Sequence, residues 1–217
     1  MSASQHARRE RQELAELMLA TGPDAPTLCE GWTTRDLAAH LVVREARPDA
    51  AAGIVLPPLS GWTARVQQAA ATRSYPELVR EVRTGPPTLS FFSLPGVDGL
   101  ANLNEYVVHH EDVLRAQPDW TPRRLPADLS DELWGRLRQF GRLMYRRMPV
   151  GVTLVRTDGD GSPEDTLVAK SGSPMVTMSG PTLELLMRSY GRRVVQVEMS
   201  GEPSAVARFE DGPILAV

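Results

Sequence analysis

The sequence predicts an α+β protein in which an up-and-down four-helix bundle, residues 1–148, precedes a small α+β domain, residues 149–217. Two observations favour this division. Apolar residues recur at helical spacing through the first part, and proline and glycine interrupt the pattern where loops are needed. After residue 148 the chain changes to short β-branched runs and turn residues, which are typical of strands.

The predicted bundle is built from long amphipathic helices with recognisable ends. The first helix stops at Thr21-Gly22-Pro23. The second starts after Thr33, an N-cap residue that has Asp36 three residues later as its capping-box partner. The long helices are expected at 4–20, 34–47, 100–117 and 130–147, the last capped by Ser130, with shorter helices at 62–72 and 75–83. Between them lie a loop at 53–61 and an apolar piece at 89–94.

The second part begins with the β-branched run Val150–Arg156 and a turn, Asp158-Gly159-Asp160-Gly161. This turn shares its opening residues with a calcium loop, but it lacks the later ligands and the closing glutamate, so we interpret it as a hairpin turn. A mainly antiparallel sheet is expected around one helix, 181–190, which starts at Pro181 and ends at Gly191. Its further strands are predicted at 166–170, 175–179, 194–199 and, more weakly, 205–209.

Composition narrows the class of protein. The formal net charge is −3, which gives no strong field for nucleic acid or an anionic membrane. Cys29 is the only cysteine, so an internal disulfide is impossible and a reducing compartment fits best. No apolar run approaches the roughly 20 residues of a membrane helix, and the polar N-terminus lacks a signal-peptide core. We therefore expect a cytoplasmic monomer or homodimer without nucleic-acid or membrane partners.

Two of the helices carry residues that suit a metal ion. His40 shares a face with Leu37 and Val43, so it should point into the bundle. Glu105 and His109 are four residues apart, which places a carboxylate and an imidazole one above the other on one helix face. Bundles build metal sites from such inward-pointing Glu and His, and a metal neutralises a carboxylate that would otherwise be costly to bury. Three protein ligands leave positions open for water or substrate, as in catalytic zinc sites.

The same residues can also be explained without a metal. A single histidine on an apolar face is usually a hydrogen-bonded core residue, and Glu and His at this spacing also occur by chance. His110 is turned about 100° from His109 along the helix, so it should face away from such a site. Asp112 or Asp36 are candidates to hold the free imidazole nitrogens of the histidines.

A resemblance to a known family supports the metal. Residues 28–41, LCEGWTTRDLAAHL, and residues 104–112, NEYVVHHED, resemble two motifs of the mycothiol-dependent maleylpyruvate isomerase family, within the DinB-like metal-binding superfamily. The resemblance implies a DinB-like bundle in which His40, Glu105 and His109 bind a divalent metal, usually zinc. The C-terminal part has the place and size of the family's second domain but no sharp motif.

The resemblance also implies chemistry with a small thiol. Family members include thiol-dependent isomerases and S-transferases in which the metal binds a low-molecular-weight thiol such as mycothiol, beside a small-molecule substrate. Arg44, one turn after His40, is a candidate to receive a substrate carboxylate at the mouth of the site, although an arginine at such a position is more commonly a solvated surface residue. Cys29 is either a reactive thiol or a small buried residue, and Trp32 is interpreted as a packing anchor. The catalytic residues stay unknown, and the rival function is a metal-containing binding protein without turnover.

Overall fold

The computed structural model describes residues 1–47, 60–85, 97–158 and 161–214. The predicted loop at 53–61, the apolar piece at 89–94 and the turn at 158–161 lie wholly or partly outside these ranges. The chain forms two compact units, an N-terminal unit of Met1–Pro122 and a C-terminal unit of Arg123–Val217. Helices dominate the first unit and the second combines helices with a sheet, so the predicted α+β class is confirmed.

Helices alone make up the regular structure of the N-terminal unit within the described residues. Helix α1 packs along α5 and also contacts α4, whereas α2 packs against α3 and α4. Every helix that the sequence predicts here is present, with ends within a few residues of those expected. Their bounds are α1 Ala3–Thr21, α2 Thr34–Ala46, α3 Ser60–Ala71, α4 Tyr75–Thr84 and α5 Val97–Leu114.

The ends of α1 and α2 follow the predicted local rules. Gly22 ends α1 with a φ of 85°, a conformation that glycine adopts without steric cost. The capping box of α2 is formed as expected. The N–H of Thr33 donates to Asp36 Oδ2 at 2.9 Å, and the N–H of Asp36 donates to Thr33 Oγ1 at 3.4 Å. This box fixes where α2 begins, and therefore which of its side chains face inward.

The core of the N-terminal unit is apolar and tightly held. Tyr75 is buried in it and donates from its hydroxyl to the Met18 carbonyl at 2.7 Å, which ties α4 to α1. The helices contribute a shared set of fully buried side chains, which are Leu14, Met18, Leu37, Leu41, Leu78, Leu103 and Tyr106. Since this core is independent of any ion, it should hold the unit together by hydrophobic burial.

The C-terminal unit places helices against a four-stranded sheet of order β2-β1-β3-β4. Strand β1 is antiparallel to β2 and parallel to β3, and β3 is antiparallel to β4. The sheet is thus mainly antiparallel and carries helix α7, as predicted. The elements are α6 Ala127–Met144, β1 Gly151–Arg156, β2 Asp165–Lys170, β3 Met175–Gly180, α7 Thr182–Ser189, β4 Glu198–Ser200 and α8 Pro203–Glu210.

The boundary between the units falls between Pro122 and Arg123, whereas the sequence led us to expect it after residue 148. The helix predicted at 130–147 as the fourth of the bundle is α6, which packs against β2 and α7. Trp134 on α6 donates its indole N–H to Asp165 Oδ2 at 2.8 Å. An amphipathic pattern shows that a helix has an apolar face but not which element covers it. Ser130 also lies inside α6 and is not its cap, because the helix begins at Ala127 after Pro126.

Two predicted strands near the C-terminus are corrected. Residues 205–209 belong to helix α8, because Pro203 suits a helix start and Ala205 and Phe209, four apart, are both buried on one face. Of the strand predicted at 194–199, only Glu198 and Met199 pair with β3, and the paired segment continues to Ser200. The N–H of Gln196 instead donates to Glu184 Oε2 at 2.8 Å. None of the described helices is long and apolar enough to cross a membrane.

Candidate metal centre

Helices α2 and α5 bring the three predicted metal ligands together. Nε2 of His40 lies 3.3 Å from Glu105 Oε1, and Nε2 of His109 lies 3.2 Å from the same oxygen. One ligand atom from each of the three residues lies within 4.8 Å of the others. The two imidazole rings meet edge to face with centroids 5.5 Å apart. Two nitrogens and one carboxylate oxygen therefore converge on a single point.

Ordinary helix geometry produces this convergence. His40 stands between Leu37 and Leu41, which are both buried in the core, so the capping box at Thr33 sets its direction. Glu105 and His109 are one turn apart on α5. Both histidines are nearly buried, at 7% and 8% exposure, whereas the Glu105 side chain is 20% exposed. The site thus lies at the edge of the core, and the carboxylate is the most exposed of its three side chains.

The other nitrogen of each histidine is held by a polar partner. Nδ1 of His109 lies 2.9 Å from Asp112 Oδ2, so the predicted role of Asp112 agrees with the geometry. Nδ1 of His40 lies 2.7 Å from the Gln67 side-chain amide on α3. Asp36, the other aspartate considered from the sequence, bonds Thr33 instead. Such outer partners fix the ring direction and tautomer of metal-binding histidines. The sequence missed Gln67, and only the packing of α3 on α2 reveals it.

Electrostatics in the site favours an ionised carboxylate beside a cation. Burial by itself raises the pKa of Glu105, but hydrogen bonds with His109 and His40 outweigh it and hold the pKa well below its usual range. Burial lowers the pKa of His109, yet hydrogen bonds with Asp112, Cys29 and Glu105 raise it well above the ordinary value. Burial is also the main cause that lowers the pKa of His40. Two carboxylates around one imidazole supply the negative charge that a divalent cation needs.

The donor set fits a divalent metal. Two imidazole nitrogens and one carboxylate oxygen are the ligands of catalytic zinc sites, which keep further positions open. Imidazole also suits other first-row metals, so these ligands by themselves do not select zinc. Both Nε2 atoms face Glu105 while both Nδ1 atoms are engaged on the far side of the rings. The residues present are therefore oriented as metal ligands require.

Cys29 lies behind the site rather than in it. Its Sγ is 3.2 Å from Asp112 Oδ2 and 3.9 Å from His109 Nδ1, on the side of the ring away from Glu105. The backbone N–H of Leu28 also donates to the Asp112 carbonyl at 2.9 Å, which anchors this loop to α5. The thiol therefore touches the partner of a ligand, and it does not point at the Nε2 atoms.

Arg44 does reach the site, as its position one turn after His40 suggests. Its Nε lies 3.4 Å from Glu105 Oε1, and it also hydrogen-bonds Asn102. Asn102 in turn donates to Glu45 Oε1 at 3.4 Å, within a buried polar network that also includes Arg11. The Arg44 side chain is only 14% exposed, so it is a fixed feature of the site and not a solvated surface group.

Trp32 and His110 adjoin the ligands, the first in space and the second in sequence. The Trp32 ring lies 5.1 Å from the His40 ring at a tilt of 48°, so it packs on a ligand at the start of α2. His110 faces away from the three ligands, as predicted, and its Nδ1 lies 3.3 Å from Glu10 Oε2 on α1. Neighbouring histidines on α5 thus serve different faces of the helix.

Known proteins match the chain in fold but not in sequence. No protein-family model and no curated protein matches the sequence. The crystal structure of a mycothiol-dependent maleylpyruvate isomerase superposes with a TM-score of 0.53 at 17% identity, over 91% of each chain. The chain shares the fold of this isomerase. A histidine-to-alanine mutant of a mycothiol-dependent maleylpyruvate isomerase gives a TM-score of 0.54 at 15% identity, again over 91% of each chain. The fold that the two motifs led us to expect, that of the mycothiol-dependent maleylpyruvate isomerases, is confirmed.

Proposed function

We propose that the chain is a metal-dependent enzyme of the mycothiol-dependent isomerase or S-transferase type. His40, Glu105 and His109 would hold one divalent ion, zinc by preference, which would activate a low-molecular-weight thiol such as mycothiol. The observation that carries the proposal is the convergence of three ligand atoms whose histidines are both held from behind. The isomerase fold supports the same chemistry. A reduced cytoplasm is the compartment that suits a thiol cofactor and the single Cys29.

A bound divalent ion lowers the pKa of a thiol and presents it as the thiolate, the reactive nucleophile. The protein's own residues prepare this site. Asp112 holds His109 through Nδ1, which directs Nε2 towards Glu105 and the point where an ion would bind. Arg44 supplies a positive charge at the edge of the ligand set, where it suits the carboxylate of a small acidic substrate. Burial of both histidines limits water around the reacting groups.

Metal analysis of the purified native protein tests the metal directly. We expect about one divalent ion per chain, and we expect Glu105→Gln and His109→Ala to lose it. The matched control is His110→Gln, which changes the adjacent histidine that faces α1 and should keep the ion. The wild-type protein is also stripped of metal with a chelator, and the chelator is removed. If this protein then binds none of zinc, cobalt and manganese, the proposed site is refuted.

Turnover is tested separately on the metal-loaded protein. Small thiols, with mycothiol first, are combined with cis-unsaturated keto acids for isomerase activity and with electrophiles for S-transfer. We expect activity that needs both metal and thiol and that is lost in Glu105→Gln. A metal-loaded wild type that binds the thiol without consuming or isomerising any substrate would favour the rival function, a binding protein.

A further inference from the structure

We infer that Gln67 is a positioning residue for the metal, acting through His40, and that helix α3 is thereby a working part of the site. The inference rests on the proposed metal function and adds a residue and an element to it. Neither of the two sequence motifs includes Gln67, which stands 27 residues after His40. It reaches the site only because α3 packs against α2.

The contact has the geometry of a ring-orienting hydrogen bond. The Gln67 side-chain nitrogen lies 2.7 Å from His40 Nδ1, and the His40 Nε2 atom faces Glu105. A histidine that gives Nε2 to a metal carries its proton on Nδ1 and needs an acceptor there. A half-turn of the amide places the Gln67 oxygen at the same position, since the two ends of an amide are nearly equivalent in shape.

The two histidines then have partners of different charge. Asp112 offers His109 a carboxylate, whereas Gln67 offers His40 a neutral amide. A carboxylate partner makes an imidazole a stronger metal ligand than an amide partner does. His40 is therefore the weaker of the two nitrogen ligands, and it is the ligand whose strength the residue at position 67 sets. A carboxylate at that position should strengthen it.

The surroundings of Gln67 set the size of the effect. With Trp32, Asp36, Ala64 and Gln68 it lines a cavity of about 160 Å³. Removal of the side chain here leaves space beside the polar side chains of Asp36 and Gln68, in which water can replace part of the lost bond. We therefore expect a loss near the lower end of the roughly 10- to 100-fold range that such outer partners contribute to metal affinity.

The experiment compares metal affinity in four full-length proteins. Metal is removed with a chelator, and zinc is titrated in competition with a chromophoric chelator into wild type, Gln67→Ala, Gln67→Glu and Gln68→Ala. Gln68 is the matched control, since it is an exposed glutamine on the same helix and lines the same cavity. Visible absorption of the cobalt-loaded proteins reports the ligand field, and circular dichroism confirms that each variant is folded.

We expect Gln67→Ala to bind zinc about 10-fold more weakly with an altered cobalt spectrum. Gln67→Glu should bind at least as tightly as wild type, and Gln68→Ala should match wild type in both readouts. Equal affinity and spectra for wild type and Gln67→Ala overturn the inference, and so does a Gln67→Glu protein that is as weak as Gln67→Ala. If Gln67→Ala does not fold, a Gln67→Glu affinity below that of wild type overturns it. Absence of metal binding in wild type refutes the proposed function itself, which is a different outcome.

Discussion

Nδ1 of His109 lies 2.9 Å from Asp112 Oδ2, while Nε2 of the same ring lies 3.2 Å from Glu105 Oε1. The ring is therefore held between two carboxylates of its own helix. Glu105 lies four residues before His109 and Asp112 lies three residues after it. Asp112 is fully buried and also accepts from the Cys29 thiol. This arrangement sets both the direction and the basicity of the ligand that His109 presents.

Asp112→Asn tests this arrangement. The amide keeps the shape of the side chain but removes the charge that strengthens the imidazole, so we expect zinc affinity to fall about 10- to 100-fold. Competition titration measures the affinity. Asp119→Asn is the control, because Asp119 is an exposed aspartate further along the chain. An unchanged affinity in Asp112→Asn would show that this carboxylate does not support the ligand.

Loss of a metal ligand should leave the N-terminal unit folded. Its core is apolar and its helices are capped by their own residues, so it differs from a zinc finger that needs its ion to fold. We expect His109→Ala to abolish metal binding, to keep the helical circular dichroism signal, and to cost about 1–3 kcal/mol, because buried Asp112 loses a partner. Collapse of the helical signal would mean that the ion is a structural requirement.

The inward direction of His40, Glu105 and His109 could be predicted from the sequence, because the direction of each side chain depends on one helix at a time. The capping box at Thr33 sets the phase of His40, and the spacing of Glu105 and His109 sets theirs. Gln67 could not be predicted, since its role depends on how α3 packs on α2. The sequence also could not decide whether Asp36 or Asp112 holds a histidine, because each lies about one turn from one. The structure shows that Asp36 caps α2 and that Asp112 contacts His109.

The errors in the predicted fold also arise because the sequence does not show how the elements pack. The pattern of α6 indicates an apolar face, but the sheet of the C-terminal unit covers it, and the sequence alone does not choose between that sheet and the bundle. Residues 205–209 are short enough to fit both a strand and a helix. The start at Pro203 and the burial of Ala205 and Phe209 on one face decide for the helix. Local rules predict elements, whereas their partners depend on long-range packing.

Asp158 joins three elements of the C-terminal unit and makes its stability depend on pH. Its Oδ1 accepts from the Thr182 N–H at 2.6 Å, which caps α7 in place of Pro181, and its Oδ2 accepts from Arg156 at 2.6 Å. Ser130 on α6 donates to the same oxygen. Burial alone would raise the pKa of Asp158, but the bonds from Ser130 and Thr182 outweigh it and lower the pKa below the usual value.

The sign of the pH effect follows from that lowered pKa. The folded protein keeps Asp158 ionised at a pH where the unfolded chain begins to take up a proton, so its stabilising contribution is complete above the ordinary pKa of about 3.9. The contribution is lost as the pH falls through the lower folded value. We expect Asp158→Asn to cost about 1–2 kcal/mol near neutral pH, and little at a pH below the folded pKa.

Urea unfolding across this pH range measures the difference. Fluorescence of Trp134, the only tryptophan after residue 123, follows the C-terminal unit when the other tryptophans are replaced by phenylalanine. Asp211→Asn, an exposed aspartate at the end of α8, is the control. A destabilisation of Asp158→Asn that is the same at acid and neutral pH would contradict the role of its charge.

A substitution of Arg44 tests binding of the metal and binding of an anion separately. Its guanidinium lies 3.4 Å from Glu105 Oε1, so it competes with a cation for that oxygen, and it is fixed there by Asn102. Arg44→Gln removes this competing charge, and we expect zinc affinity to stay equal or to rise. The same change removes a charge-assisted donor for a carboxylate ligand, a bond of about 1.5–3 kcal/mol. We expect maleate, used as a dicarboxylate probe, to bind the metal-loaded variant roughly 10- to 100-fold more weakly.

Calorimetric titration of maleate and competition titration of zinc give the two affinities. Arg80→Gln, on the exposed face of α4, is the control of equal net charge. A variant that loses zinc, or one that binds maleate as wild type does, would remove Arg44 from the substrate side of the site and return it to a purely structural ion pair with Glu105.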